Sequence, residues 1–361
     1  MATWTHSKIT HSWHGRCTGM SPIRLRIQNN IIWYDIWKEI DTNAIRTDKL
    51  DHYLLSDLEA VGLTPQDIKK YSWIINAGWE GYDKEDIEHF RKLLLSYDLP
   101  TTNFGVLYLA YEDIENLPYP AICLTDKMIY CGQWYSGLKK QNVNWDQLPM
   151  TSWFTVLMRR ASVSRCHLAK RILQHFDPHR ITMTLGTSPY DNPPYLKEII
   201  DFPIVVDEKV TPWPMNVVHT HELFYQSPVQ LIVESSNEID VNIWRSIFVT
   251  EKSYKALAWH QFPLWYAVPG LVEKIREQGF DVFDDIIDHS YDNEHNPWCR
   301  MIAVVEELQK LIRKGCKELR TQYWQRLESN ALLVKQIHKS ALINHKTQTN
   351  RLIDEIQYIH Q

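Results

Sequence analysis

Glycine is scarce in this chain, 12 of 361 residues, and none falls in a GxGxxG, GxxxxGKS/T or GxSxG pattern. Those patterns let a backbone close on a phosphate or hold a serine on a strained elbow. Their absence argues against a dinucleotide dehydrogenase, a P-loop NTPase and a serine hydrolase of the usual kind. Nowhere are two aspartates separated by one residue, which disfavours transferases that hold a sugar nucleotide through a metal on such a pair. The six cysteines, Cys17, Cys123, Cys131, Cys166, Cys299 and Cys316, form no CxxC pair and no zinc-finger spacing, so they read as free thiols in a reducing compartment. No 18-residue window is free of charge, so no membrane span is expected. The opening "MATWTHSKITHSWHGRCTGM" lacks the apolar run of a secretory signal. A cytoplasmic protein is the resulting expectation. An excess of one charge is missing too: 39 basic against 44 acidic residues leave a net charge of -5. A surface-wide partnership with a polyanion is therefore not expected, although a local basic cleft is allowed.

What is present is globular in kind. Hydrophobic residues make up 44% and charged residues 23% of the chain, and its length suits two domains. The 15 tryptophans suit core and interface packing first, and stacking on sugars or bases second. No internal repeat or low-complexity tract is visible.

Strand and helix patterns alternate along the chain. After an arm at 1–21, "IRLRIQNNIIWYDIWKEI" reads as a strand leading into a helix, "TDKLDHYLLSDLEAVG" as a helix and "YSWIINAGW" as a strand. "KEDIEHFRKLLLSYDLP" places Ile87, Phe90, Leu93 and Leu94 at helical spacing, and "NFGVLYLAY" is an apolar strand. This makes 22–147 an α/β domain with a parallel sheet. A polar stretch at 137–152 reads as a linker. Alternation restarts over 148–299 with "WFTVLM", "SVSRCHLAKRILQHF", "HRITMTLG" and "PVQLIVESS", then a helix–strand unit in "FVTEKSYKALAWHQFPLWYAVPG". The tail, 300–361, reads as helical, with an apolar stripe through Leu308, Leu311, Ile312, Leu319 and Tyr323 that Leu332, Leu333 and Ile337 carry on further down.

The charged residues of the second unit raise the functional question. Thr250 suits a helix N-cap and Glu251 suits the first turn, but Lys252 stands at the wrong end of the helix dipole. A bound anion would remove that penalty, because a helix N-terminus with a lysine makes a phosphate site. A plain exposed pair between Glu251 and Lys255, four apart, is the simpler alternative. Arg159 and Arg160 fall at the carboxyl end of a strand and Arg165 at the start of the next helix, where open α/β sheets take ligands and guanidinium groups grip diphosphates. His219 and His221 share one face if extended, but no third and fourth zinc ligand accompanies them, so no metal site is expected.

These residues bring a family into view. "LIVESSNEID…SIFVTEKSYKALAWHQFPLWY" resembles the donor-binding stretch of the α-1,3-fucosyltransferases and their relatives, where an acidic-polar turn after a strand precedes a T-E-K helix and another strand. The longer run also resembles glycosyltransferase-like proteins of bacteriophages and environmental bacteria, with a T-E-K-x-x-K helix, a G-F-x-x-F step and a final S-Y-D. "FTVLMRRASVSRCHLAKRIL" fits the start of such a second domain. The likeness covers about 152–300. Before Thr250 it departs, with "SIFV" where an acidic-aromatic pair is common in the fucosyltransferases.

The resemblance implies two Rossmann-like domains facing a cleft, the GT-B arrangement, with a helical tail crossing back to the first. It implies that Glu251 binds the donor ribose and Lys252 the donor phosphates, with Arg165 as second phosphate ligand. Lys255 and Arg159 would line the same pocket beside Thr250. The donor is then a nucleoside-diphosphate sugar, used without a cofactor or an obligatory metal, and the acceptor a hydroxyl of a glycan or nucleic acid. For the base that deprotonates the acceptor, Glu80 in "NAGWEGYD" is the first candidate and Glu112 in "LAYED" the second; both rest on position, not on the resemblance. Two alternatives stand beside this reading: a phage enzyme modifying a hydroxymethylated DNA base, and a nucleotide-binding protein of the same fold without turnover.

Overall fold

The computed structural model describes residues 25–28, 30–35, 49–77, 84–108, 117–123, 150–158, 160–186, 194–205, 226–234, 247 and 249–358. Two five-stranded sheets organise them. The first runs in chain order through β1 (Leu25–Gln28), β2 (Ile31–Asp35), β3 (Ser72–Ala77), β4 (Phe104–Tyr108) and β5 (Ala121–Cys123). β1 and β2 are antiparallel, with Asn30 at φ 61 between them, a left-handed conformation asparagine tolerates better than most residues. The segment expected to pass from strand to helix therefore opens as a hairpin. From β2 onward all pairings are parallel.

Because each step moves to the next strand in one direction, right-handed crossovers lay the connecting helices on one face. α1 (Lys49–Ala60) and α2 (Lys84–Ser96) bury Leu54, Leu58, Ile87, Phe90 and Leu94 against Tyr34, Trp73, Ile75, Phe104 and Val106. The other face, with Ile31, Ile74 and Leu107, is apolar as well. Leu352 and Ile356 of the C-terminal helix cover it. Gly105 makes that approach feasible, since a Cβ there would stand 2.5 Å from Ile356 Cδ1.

The second sheet is wound both ways. Its order is β10-β9-β6-β7-β8, from β6 (Phe154–Met158), β7 (Ile181–Leu185), β8 (Ile204–Val205), β9 (Val229–Val233) and β10 (Phe262–Tyr266). All pairs are parallel except β7 with β8. From β6 the chain passes through α3 (Val163–His175) to β7 on one side. From β9, on the other side of β6, it passes through α4 (Glu251–Ala258) to β10. Right-handed crossovers in opposite directions put α3 and α4 on opposite faces. The reversal between β6 and β9 is the topological switch point of this doubly wound sheet. Both units are thus α/β, but only the second shows this reversal among the described residues; the first is wound in one direction.

Beyond β10 come α5 (Leu271–Glu277), α6 (Pro297–Arg313), α7 (Cys316–Gln322) and α8 (Trp324–Tyr358), so the tail is helical as expected. Asn296 caps α6, accepting from the backbone of Trp298 and Cys299, and Pro297 takes the first-turn place that suits it. The 35 residues of α8 span about 52 Å at 1.5 Å each. Its first half packs on α4, and its last turns reach β4 and β5. Arg326 fixes the near end with paired bonds to Asp281 and Asp285. Asn330 adds two more with the Asp281 backbone. The buried seam of α8 runs through Leu327, Ala331, Val334, Ala341, His345, Leu352 and Ile356. Leu332, placed on an apolar stripe by the sequence, is instead 45% exposed.

Truncation separates these two positions. Leu352→Ala removes a fully buried side chain and is expected to cost about 2–5 kcal/mol, whereas Leu332→Ala is expected to stay within about 0.5 kcal/mol. Urea unfolding of the two variants measures the difference; equal losses would refute the packing of α8 on the first sheet.

Candidate functional site at the switch point

The carboxyl ends of β6 and β9 diverge into different crossovers, and of the charged residues singled out by the sequence Arg165 and Lys252 stand there. α3 begins with Ser162 as N-cap, its hydroxyl accepting from the Arg165 backbone at 3.4 Å. No acidic residue stands in that first turn. The Arg165 guanidinium reaches from α3 to the far side of the crevice, donating to the main-chain oxygens of Arg160 at 3.3 Å and Glu234 at 3.4 Å.

Glu234 is the first residue past β9. Its backbone N–H continues the ladder to Tyr266 of β10, and its side chain is fully buried. The carboxylate takes four donors. Oε1 accepts from the Thr250 backbone at 3.1 Å and the Ser253 hydroxyl at 2.6 Å. Oε2 accepts from the Thr250 hydroxyl at 2.5 Å and from Lys252 Nζ at 3.5 Å. The proton bookkeeping closes. Thr250 Oγ1 gives its one proton to Glu234 and accepts from the backbone and the ammonium of Lys252, both at 3.2 Å. Ser253 Oγ gives its proton to Glu234 and accepts from Trp265 Nε1 at 3.0 Å. A hydroxyl has one proton and two lone pairs, so the Thr250 hydroxyl is saturated.

This network explains the lysine at the wrong end of a helix dipole. An anion does stand at the N-terminus of α4, and it is a carboxylate of the chain itself, supplied from 16 residues earlier. Thr250 is the N-cap, as expected. α4 is not a solvated surface helix: Ser253, Tyr254, Ala256, Leu257 and Ala258 are buried, while Glu251, Lys252 and Lys255 are half-buried. A simple surface pair of Glu251 and Lys255 would be exposed; both residues are half-buried instead.

Of the sequence-predicted residues, Arg165, Thr250 and Lys252 meet at Glu234, and Glu251 and Lys255 belong to the same helix. Arg159, Glu80, Glu112, His219 and His221 lie outside the described residues. Glu234 itself was not singled out. Its sequence signal is an acid directly after an apolar strand, opening the acidic-polar turn ahead of a capping threonine.

The far end of α4 is anchored differently. The Gln261 N–H bonds to the Ala256 carbonyl at 3.1 Å, and His260 takes the left-handed position, φ 56, usually occupied by glycine in this helix stop. The His260 ring lies flat on Trp324, 4.6 Å away and 5° from parallel, and its Nε2 is 2.5 Å from Glu328 Oε2. Burial pushes the His260 pKa down to about 4; Arg320 and Lys335 act in the same direction and Glu328 opposes. The G-F-x-x-F and S-Y-D residues are structural. Phe280 and Phe283 are core, Tyr291 accepts from the Trp265 backbone, and Asp292 caps α5 through the Val272 and Glu273 backbone. A polar depression of about 530 Å³ beside them is lined by such engaged groups, His289, Asp292 and Arg276 among them.

The fold and site define an α/β protein whose second sheet is wound in both directions, with Arg165 and Lys252 at its switch point. No protein-family model matches the chain, and no curated protein is similar to it. Among the described residues no helix is long and apolar enough to cross a membrane, and no group of three or more His, Cys, Asp and Glu side chains is arranged to hold a metal ion.

The state of His260 carries a pH dependence. Its folded pKa lies below the ordinary 6.5, so between about 6.5 and about 4 the unfolded chain binds a proton that the native chain refuses. The contribution of His260 is complete above pH 6.5 and is lost as pH falls through that window, at up to about 1.4 kcal/mol per pH unit. His260→Asn keeps a residue tolerant of the left-handed conformation and removes the titration. Unfolding free energies at pH 7 and pH 5 should fall less in this variant than in the wild type; an identical fall would refute the assignment.

Proposed function

We propose that the chain is a glycosyltransferase that moves a sugar from a nucleoside-diphosphate sugar to an acceptor hydroxyl, with its donor at the switch point of the second sheet. The observation that carries the reading is that Arg165, Lys252 and the N-terminus of α4 come together at the end of β9 beside β6. That is the crevice in which open α/β sheets take their ligands. A helix N-terminus with two cations suits a diphosphate. Glu251, in the first turn, is assigned to the ribose hydroxyls. Lys255, one turn further, and Arg159 are assigned to the edge of the pocket.

In the reaction, the bond from the sugar's anomeric carbon to the diphosphate oxygen breaks and its electron pair leaves with the nucleoside diphosphate. Lys252 and Arg165 stabilise that developing charge. The acceptor oxygen forms the new bond to the anomeric carbon, and its proton passes to a carboxylate, assigned to Glu80 with Glu112 as the alternative. The acceptor belongs to the first unit, which would face the second across a cleft in the GT-B manner. Cys123, Cys166 and Cys299 are free thiols, which suits a cytoplasmic setting.

Thermal unfolding against UDP, GDP and their sugar conjugates tests the reading. A ligand at 100 times its dissociation constant stabilises by about 2.7 kcal/mol, a rise of a few degrees for a chain of this size. The rise should be selective for one base and disappear in Lys252→Ala. With that nucleotide sugar, Glu80→Gln should bind donor normally and lose turnover by about 100-fold or more. Absence of a shift with every nucleotide would sink the reading.

A further inference from the structure

We propose that Glu234 is the positioning residue of this site: it sets where the Lys252 ammonium and the first turn of α4 stand when a diphosphate arrives. The inference rests on the donor reading above. Glu234 does not touch the donor, because its side chain is fully buried. It acts through the residues it holds.

Three contacts define that hold. The Thr250 backbone and hydroxyl fix the N-cap of α4, and the Ser253 hydroxyl fixes the third residue of the first turn. Glu251 and Lys252 lie between these anchors, so the helix cannot rotate about its axis to carry them elsewhere. Trp265 Nε1 holds Ser253 from below, which ties the arrangement to the middle of β10. The Lys252 ammonium is drawn in by Glu234 Oε2 and Thr250 Oγ1. Its side chain is 26% exposed, so Lys252 stands between the buried carboxylate and solvent. Arg165 bonds the main-chain oxygen of the same residue. Both cations of the site are thereby referenced to one position in the chain.

Two effects of the carboxylate oppose each other. Its charge repels an incoming phosphate. Its placement keeps a lysine, otherwise repelled by the helix dipole, beside the N-terminus. The charge is already matched by an ammonium and three hydrogen-bond donors, so its net field in the crevice is small, whereas removing it leaves the ammonium only Thr250 Oγ1 among these two anchors, and that hydroxyl loses its own acceptor. Placement therefore wins, and neutralising Glu234 weakens diphosphate binding instead of strengthening it.

Glu234→Gln is the test. The amide keeps an acceptor for the Thr250 backbone and Ser253, but sets an NH₂ group against the Thr250 hydroxyl and Lys252. Calorimetric titration with inorganic pyrophosphate, GDP and UDP is expected to show at least tenfold weaker binding in Glu234→Gln. In a Lys252→Met background the same change should cost at least threefold less than in the wild type, since the part of its effect that runs through the lysine is gone. A merely structural role would cost equally in both backgrounds. Binding as tight as or tighter than wild type in Glu234→Gln would overturn the proposal alone. Failure of all three probes on the wild type would bring down the donor reading and the proposal with it. Should Glu234→Gln fail to fold, the wild type decides after reductive ¹³C-methylation of its lysines, which preserves their charge. The Lys252 resonance should show contact with the Thr250 methyl and shift on adding pyrophosphate; a freely averaged signal without that contact overturns the proposal.

Discussion

A carboxylate without solvent can exist only where donors replace the water it has lost, and Glu234 finds all of them in one turn of one helix. Burying such a charge costs several kcal/mol unless it is paired and hydrogen-bonded. The first turn of α4 therefore has a single acceptable placement: Thr250 at the N-cap, Ser253 inward, Lys252 folded back. The constraint runs outward from there. Ser253 takes Trp265, Trp265 belongs to the strand that follows α4, and Arg165 closes on the carbonyl of Glu234 from the opposite crossover. Removing Lys252 leaves the buried Glu234 carboxylate without its countercharge, the costly kind of change in a protein interior.

The same helix is held from outside. α4 lies between the second sheet and α8, and the stop that follows it gives His260 a left-handed backbone whose strain is offset by the stack on Trp324 and the bond to Glu328. α8 then continues to the first sheet, where Leu352 and Ile356 fill a face no other described element covers. One long helix therefore touches both the helix bearing the charged residues and the sheet on the other side of the molecule. A displacement of α4 along its axis would have to move α8, and the packed contacts at both ends of α8 resist that.

Much of this was legible from periodicity. Ile87, Phe90 and Leu94 mark α2, Leu168 and Ile172 mark α3, and the apolar runs of β4, β6, β7, β9 and β10 stand where alternation put them. The α4–β10 unit was recognisable because a capping threonine, an acid and a buried strand follow one another closely. What was not legible shares a cause: it depends on residues far apart in the chain or on side chains whose type hides their burial. The hairpin at Asn30 was hidden because each arm is too short to show its own alternation. The seam of α8 includes Asn330, Ala331, Ala341 and His345, none of which an apolar stripe would select, so the sequence reading drifted to Leu332. Glu234 was passed over because an acid after a strand looks like any solvated turn until the partner helix is in place.

The two sheets also differ in what their winding permits. In the first, every described step runs the same way, so neighbouring crossovers follow one another and none parts from the next. Its carboxyl edge acquires no crevice from topology, and its second face is left for α8 to close. In the second, the chain leaves β6 in one direction and β9 in the other, so the two crossovers part at the strand ends. Arg165 comes from one side and α4 from the other, meeting at Glu234. Arg165 and Lys252 are thus drawn to one residue because the winding brings the end of β9, the start of α3 and the N-terminus of α4 together.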